Sequence, residues 1–258
     1  LIEIAEAARR ENEDVFVMWY WGIRSPFFAL YGDSIFENRL TMEAASTGDY
    51  PALFFRDAVN LALDQGSQFA KFVPPLNKDS LGVWIAETQW GNFMKKERWR
   101  EALITDLARG NLLFPQLWGN LYLFNDDDLE FLVRINKLVK KNEQMFLKRK
   151  NILGDPWKNE VYGYSYFRDA RGFIFVNNVA FQARPVTIKL TEEIGLKAAH
   201  GTPLILKAHF PTQDILVRNG KQTFKSGEGV TFWLRPFEIA MIEVSPAEKA
   251  VRAIQGFG

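Results

Sequence analysis

The chain contains no cysteine. That excludes a disulfide framework, a thiol nucleophile and a thiolate metal site, and it leaves the compartment open. Only two histidines are present, His200 and His209. Both fall where short strands are expected and have no carboxylate cluster beside them, so neither a histidine metal centre nor a Ser-His-Asp triad is expected. Glycine-rich phosphate loops are missing too, and no cofactor is expected. No apolar run reaches the roughly 18 residues of a membrane-spanning helix. A formal net charge of +1 over 258 residues supplies no field to draw nucleic acid or an anionic membrane. The opening LIEIAEAARRENED is acidic and lacks the apolar centre of a signal peptide. It reads as a helix that begins without a cap, like the interior of a longer chain.

What is present is aromatic. The chain has 8 Trp and 22 Phe, and hydrophobic residues make up 47% of it. Such a composition suits a sizeable packed core; it equally suits a sugar-binding cleft, where indoles meet the apolar faces of pyranose rings.

The stretch from Leu81 to Val139 organises the rest. An apolar segment (Leu81 to Ala86) leads into a polar, aromatic-studded loop (Glu87 to Lys96) and an amphipathic helix over Glu97 to Arg109. A second apolar segment (Leu112 to Leu123) and a helix over Asp126 to Phe146 follow. Strand, loop, helix, twice over, is the order that builds a parallel sheet covered by helices. Upstream, the spacing predicts a helix to Asp14 and a strand buried on both faces at Val15 to Trp21. Ser25-Pro26 reads as a helix start, and Asp33 as a turn or helix-end residue. A strand at Leu40 to Ala44, a turn-rich loop at Ala45 to Pro51, a helix at Arg56 to Gln65 and a short apolar run at Phe69 to Val73 complete this part. It counts as four βα units, half of the eight that close a barrel.

Near residue 155 the period changes to two. Short strands are expected at Gly172 to Asn177, Pro185 to Leu190, Pro203 to Lys207, Ile215 to Arg218, Val230 to Leu234 and Phe237 to Val244, with GDPWKNEVYGYSYF before them as a loop and Ser245 to Gly258 as a tail. The expected fold class is α/β: residues 1–154 as the second half of a (β/α)8 TIM barrel, and 155–258 as an antiparallel β-sandwich.

The order of these pieces resembles the α-galactosidases of the melibiase and raffinose-hydrolase families, a clan of retaining glycosidases. MEAAS (Met42 to Ser46) stands where the family's sixth strand carries a Glu, and FFRDAVNLALDQG (Phe54 to Gly66) follows the outline of its Trp-X-Ser-Asp-X-Thr-Asp-Ala segment. VPPLNKDSLGVWIAE, ARGNLLFPQLWGNLYLFNDDDLEFL and Gly91-Asn92-Phe93 match later pieces. The resemblance implies a barrel followed by a sandwich, a carbohydrate substrate, and a first half of the barrel supplied upstream or by a separate chain. The departures are that the nucleophile, an Asp at the end of the fourth strand, has no counterpart here; Ser-Asp-X-Thr-Asp is reduced to Phe-Arg-Asp; and a substrate-binding Glu on the fifth strand is replaced by Tyr20.

A retaining glycosidase sets two carboxyls about 5–5.5 Å apart, one a nucleophile and one an acid/base. Asp57 lies on the segment that carries the acid/base in the resembling family; otherwise it caps its helix. Glu43, at an expected strand end, is either a second catalytic carboxylate or a structural hydrogen-bonding group. Trp90 and Trp118, in loops after expected strands, and one of Trp19 or Trp21, are candidate sugar platforms. Lys78, Asp79 and Asn92 are candidate hydroxyl contacts, and each is also an ordinary loop residue.

Overall fold

The computed structural model describes residues 1–20, 23, 25–36, 73–79, 83–85, 98–110, 116–217 and 220–247, without the side chains of Trp84, Ile85 and Trp118. The expected elements at 40–44, 45–51, 56–65 and 87–96 lie outside the described residues. The chain falls into two units, residues 1–149 with 156–160, and residues 150–155 with 161–258. The first mixes helices with parallel strands; the second is built on antiparallel sheets.

In the first unit, helix α1 (Ile2–Glu11) precedes strand β1 (Met18–Trp19), and β2 (Ser34–Phe36) and β3 (Lys78–Asp79) follow. These strands form one parallel sheet in the order β1-β2-β3. Of the described part of the apolar run at Val15 to Trp21, two residues, Met18 and Trp19, enter the ladder, and Phe16 is 57% exposed. The reason is Asp33. Its carboxylate accepts the Val17 amide at 2.7 Å and the Arg9 guanidinium at 2.9 Å. The Asp33 amide in turn donates to the Val17 carbonyl at 2.8 Å, as does the Ser34 amide at 3.3 Å, so Val17 is bound to the bend that opens β2. Asn77, just before β3, donates to the Asp33 carbonyl at 2.8 Å. One residue therefore ties α1, β1, β2 and β3 together.

Ser25 caps a short 3₁₀ helix at Pro26–Leu30, accepting from Phe27, as the Ser-Pro pair predicts. Its Phe28 carbonyl takes the indole N–H of Trp19 at 2.9 Å. Gly32 is required beside this indole, because a Cβ there would lie 2.2 Å from Trp19 Nε1.

Strands β4 (Val83–Ile85) and β5 (Leu117–Gly119) pair in parallel. Helix α2 (Trp99–Arg109) lies between them in sequence. It is buried on nearly every side, Ala102 through Arg109 included, where the sequence predicted an amphipathic helix; Thr105 returns its hydroxyl to the Glu101 carbonyl at 2.7 Å. Helix α3 (Asp126–Lys141) is the amphipathic one. Phe131, Ile135 and Val139 bury one stripe, Asn125 and Asp128 close a capping box, and Lys140 and Lys141 end it. Asp128 also accepts the Trp99 indole at 3.0 Å and Arg100 at 2.8 Å, fastening α3 to the start of α2.

In the second unit, β6 (Arg149–Leu153), β7 (Tyr162–Arg168), β8 (Arg171–Asn177), β10 (Pro203–Phe210), β11 (Phe224–Lys225) and β13 (Ile239–Pro246) form a six-stranded sheet in the order β11-β10-β13-β8-β7-β6. Strands β9 (Arg184–Lys189) and β12 (Gly229–Leu234) form a two-stranded antiparallel sheet. Alternate residues of both sheets, among them Ile174, Val176, Leu206, Ile242, Val186 and Val230, make one apolar core. The expected strand at Ile215 to Arg218 reduces to a single bridge between Ile215 and Lys207, and β13 runs into the expected tail as far as Pro246. The stretch read as a loop holds β7. Its glycine at 163 looks like a loop signal but is a close-approach residue, since a Cβ would lie 2.1 Å from the Phe175 carbonyl oxygen.

Replacing Asp33 by Ala removes a charged acceptor from a backbone amide as well as from Arg9. We expect a loss of about 2 kcal/mol in urea unfolding of Asp33→Ala. Arg9→Ala, which breaks only a half-exposed pair, should cost under about 1 kcal/mol. Equal losses would show that the Val17 amide does not depend on the carboxylate.

Candidate active site

Alternation along β1, β2 and β3 divides their side chains into two rows. The register pairs Trp19 with Ile35 and Ile35 with Lys78. Trp19 and Ile35 pack with Ala5 of α1 and with Val73; this row faces the helical layer. The next row belongs to the opposite face and lies at the C-terminal ends of the strands. There Phe36 is paired with Asp79, and the Tyr20 ring stacks on Phe36 with centroids 4.6 Å apart and planes inclined by 23°. Ser34 shares this face two residues earlier; it is fully buried and its hydroxyl has no hydrogen-bond partner among the described residues.

The row is a polar group set on an aromatic floor. Asp79 is only 1% exposed. Partial burial raises the Tyr20 phenol above its ordinary value of 10.0, and the negative charge of Asp79 raises it further. Tyr20 therefore keeps its proton through neutral pH.

Trp19 is buried at 6%, with its N–H given to Phe28 and its ring packed against the Phe28 ring at 5.3 Å. It has no face to offer a sugar, and the expectation placed on it is corrected; Tyr20 lies on the opposite face, stacked on Phe36. Lys78 is buried and, by alternation, shares the row of Trp19 and Ile35, while Asp79 shares that of Tyr20. Trp118 lies within β5, paired with Trp84 of β4, and not in a loop. Asp57, Glu43, Trp21, Trp90 and Asn92 lie outside the described residues.

The loop after β5 carries Asn120, a polar residue that the sequence also places after this strand. Asn120 accepts from the Tyr122 amide and caps a 3₁₀ turn at Leu121–Leu123. This turn replaces the end of the expected strand, and it leaves Tyr122 fully exposed. Among the described residues no group of three or more His, Asp or Glu is placed to hold a metal ion.

No family model and no curated protein matches the chain. Solved structures do. A GH27 β-L-arabinopyranosidase from Geobacillus stearothermophilus is 13% identical over 96% of this chain and 55% of its own, with a TM-score of 0.60. The α-galactosidase I of Mortierella vinacea is 12% identical over 95% of this chain and 62% of its own, with a TM-score of 0.57. An α-amylase from Geobacillus thermoleovorans, solved with acarbose, is 11% identical over 96% and 57%, with a TM-score of 0.53. The fold is that of a glycoside hydrolase, and the α-galactosidase-type enzymes are among its structural neighbours. The chain spans between 55% and 62% of the length of these neighbours.

Carbon-13 labelling of the tyrosine rings should place the Tyr20 titration midpoint above 10.0. Asp79→Asn should lower that midpoint without returning it to the ordinary value, because burial is the larger cause. A midpoint unmoved by Asp79→Asn would separate the two groups.

Proposed function

We propose that this chain is the second half of a retaining α-glycosidase resembling the α-galactosidases. Residues 1–154 are the closing half of a (β/α)8 barrel and residues 155–258 a β-sandwich. The other half of the barrel comes from the same polypeptide upstream or from a separate chain, and it brings the nucleophile. The observation that carries this reading is the row of Tyr20, Phe36 and Asp79 at the C-terminal ends of adjacent parallel strands, on the face turned away from the helical layer. Enzymes built on α/β barrels perform their chemistry at that end of the strands.

In this reading Tyr20 and Asp79 hold hydroxyls of the substrate sugar. Asp57 is the acid/base, delivering a proton to the leaving oxygen and later taking one from water. Phe54 and Phe55 precede it in the sequence and would supply the apolar surroundings that keep a carboxyl protonated; the adjacent Arg56 works the other way. Glu43 is the second candidate for a catalytic carboxylate. Trp21, Trp90 and Trp118 are platforms for the sugar face, and Asn92 is a further polar contact; Lys78, on the row that faces the helical layer, is left out of the site.

In the full-length protein, Asp57→Asn should slow hydrolysis of alkyl glycosides, whose leaving groups need a proton, by about 10²-fold or more. Aryl glycosides with acidic leaving groups should be affected far less. Equal rates for both substrate kinds would remove Asp57 from the acid/base role. Binding of an oligosaccharide by the unmodified protein with no hydrolysis of either anomer would select a non-catalytic carbohydrate-binding protein on the same scaffold.

A further inference from the structure

The second unit has a cleft of its own, with a volume of ≈390 Å³. That falls within the range of small-molecule sites, roughly 300–1,000 Å³. Apolar side chains of β10 and β13, such as Phe210, Ala240 and Ile242, line it together with Phe232 of β12. Phe232 belongs to the inward-facing set of its strand and is only partly covered by the core. Its neighbour Trp233 also borders the cleft and is 68% exposed, with no ring partner.

The polar part of the lining is uncommitted. The side chains of Thr212, Asp214 and Arg235 line the cleft and make no hydrogen bond or ion pair within the protein. Glu238 is the exception, since its carboxylate receives the Arg235 amide and so fixes the turn between β12 and β13. Two carboxylates beside one guanidinium disfavour an anionic ligand. The aromatic and aliphatic wall disfavours a small inorganic ion, and the charged groups disfavour a purely apolar ligand. A neutral polyhydroxyl ring satisfies each part: its C–H face lies on an aromatic ring, and its hydroxyls donate to Asp214 and accept from Arg235.

We propose that this cleft is a carbohydrate-binding site, taking sugar units of a neutral oligosaccharide or polysaccharide. The proposal goes beyond the hydrolytic function and does not require it. Native gels containing soluble galactomannan or starch test it with the full-length protein. Migration should be retarded in at least one gel, and Trp233→Ala and Asp214→Ala should each raise the apparent Kd by about 10-fold or more. Both side chains are exposed, so the variants are expected to fold, and the rate on a small aryl glycoside should stay unchanged. Retardation in neither gel overturns the proposal, as does retardation that survives both substitutions. Sedimentation showing self-association that Trp233→Ala abolishes assigns the cleft to a second copy of the chain and overturns it as well. Loss of retardation in the variants of a protein that hydrolyses nothing would uphold this site while the catalytic reading fails.

Discussion

The carboxylate of Asp33 is the point on which the first unit depends. It is shared between the Arg9 guanidinium and the Val17 amide, and the backbone on either side of it reaches β1 and β3. The effect is one of phase. A parallel sheet has a side-chain period of two, so a slip of one residue would exchange the row facing the helices for the row facing away. By holding Val17 against the bend that opens β2, Asp33 fixes which residues of β1 meet α1. Trp19 then goes to the helical layer, and Tyr20 to the face that carries Asp79.

The second unit solves a different problem. Strands β8 and β13 are buried along almost their whole length, with both the odd and the even residues of Phe173 to Val176 excluded from solvent. One set enters the core shared with β9 and β12. The other set adjoins the row of Tyr164 and Tyr166 on β7, with Tyr166 meeting Phe175 edge-on at 6.0 Å. A strand buried on both faces needs neighbours that approach closely, and Gly163, paired with Val176 and set against the Phe175 carbonyl, allows the backbones to do so. Where a polar side chain is carried into this environment it is answered locally: Ser165 donates to the Ile194 carbonyl at 2.8 Å, and Asn177 to the Tyr162 hydroxyl at 2.9 Å.

Much of this was legible in the amino-acid order, and the failures have physical causes. Helix α3 announces itself because capping, dipole and apolar stripe agree. The Ser25-Pro26 start and the strands β8, β9 and β12 are equally plain, because turn residues and a period of two coincide. The Val15 to Trp21 run misleads because hydrophobicity records burial, whereas strand pairing depends on which partner takes each amide; here a distant aspartate takes one. Strand β7 misleads because its tyrosines and glycine have a loop's composition and a strand's spacing. At the candidate site the tryptophan the sequence offered, Trp19, is turned to the helical layer by the register that Asp33 sets.

The contact of Gly32 with Trp19 has a consequence for how sequence change can pass through this protein. The absent side chain at one position and the large one at the other occupy a single volume. A methyl group at 32 can be admitted only if the indole leaves, and an indole that leaves also abandons the Phe28 carbonyl. The constraint runs one way: a side chain at 32 must wait for a change at 19, whereas a smaller residue at 19 needs no change at 32. In any set of homologous chains, a bulky donor ring at the second position should travel with a glycine at the first. A departure from that rule would mark lineages in which the layer between α1 and the sheet has been rebuilt.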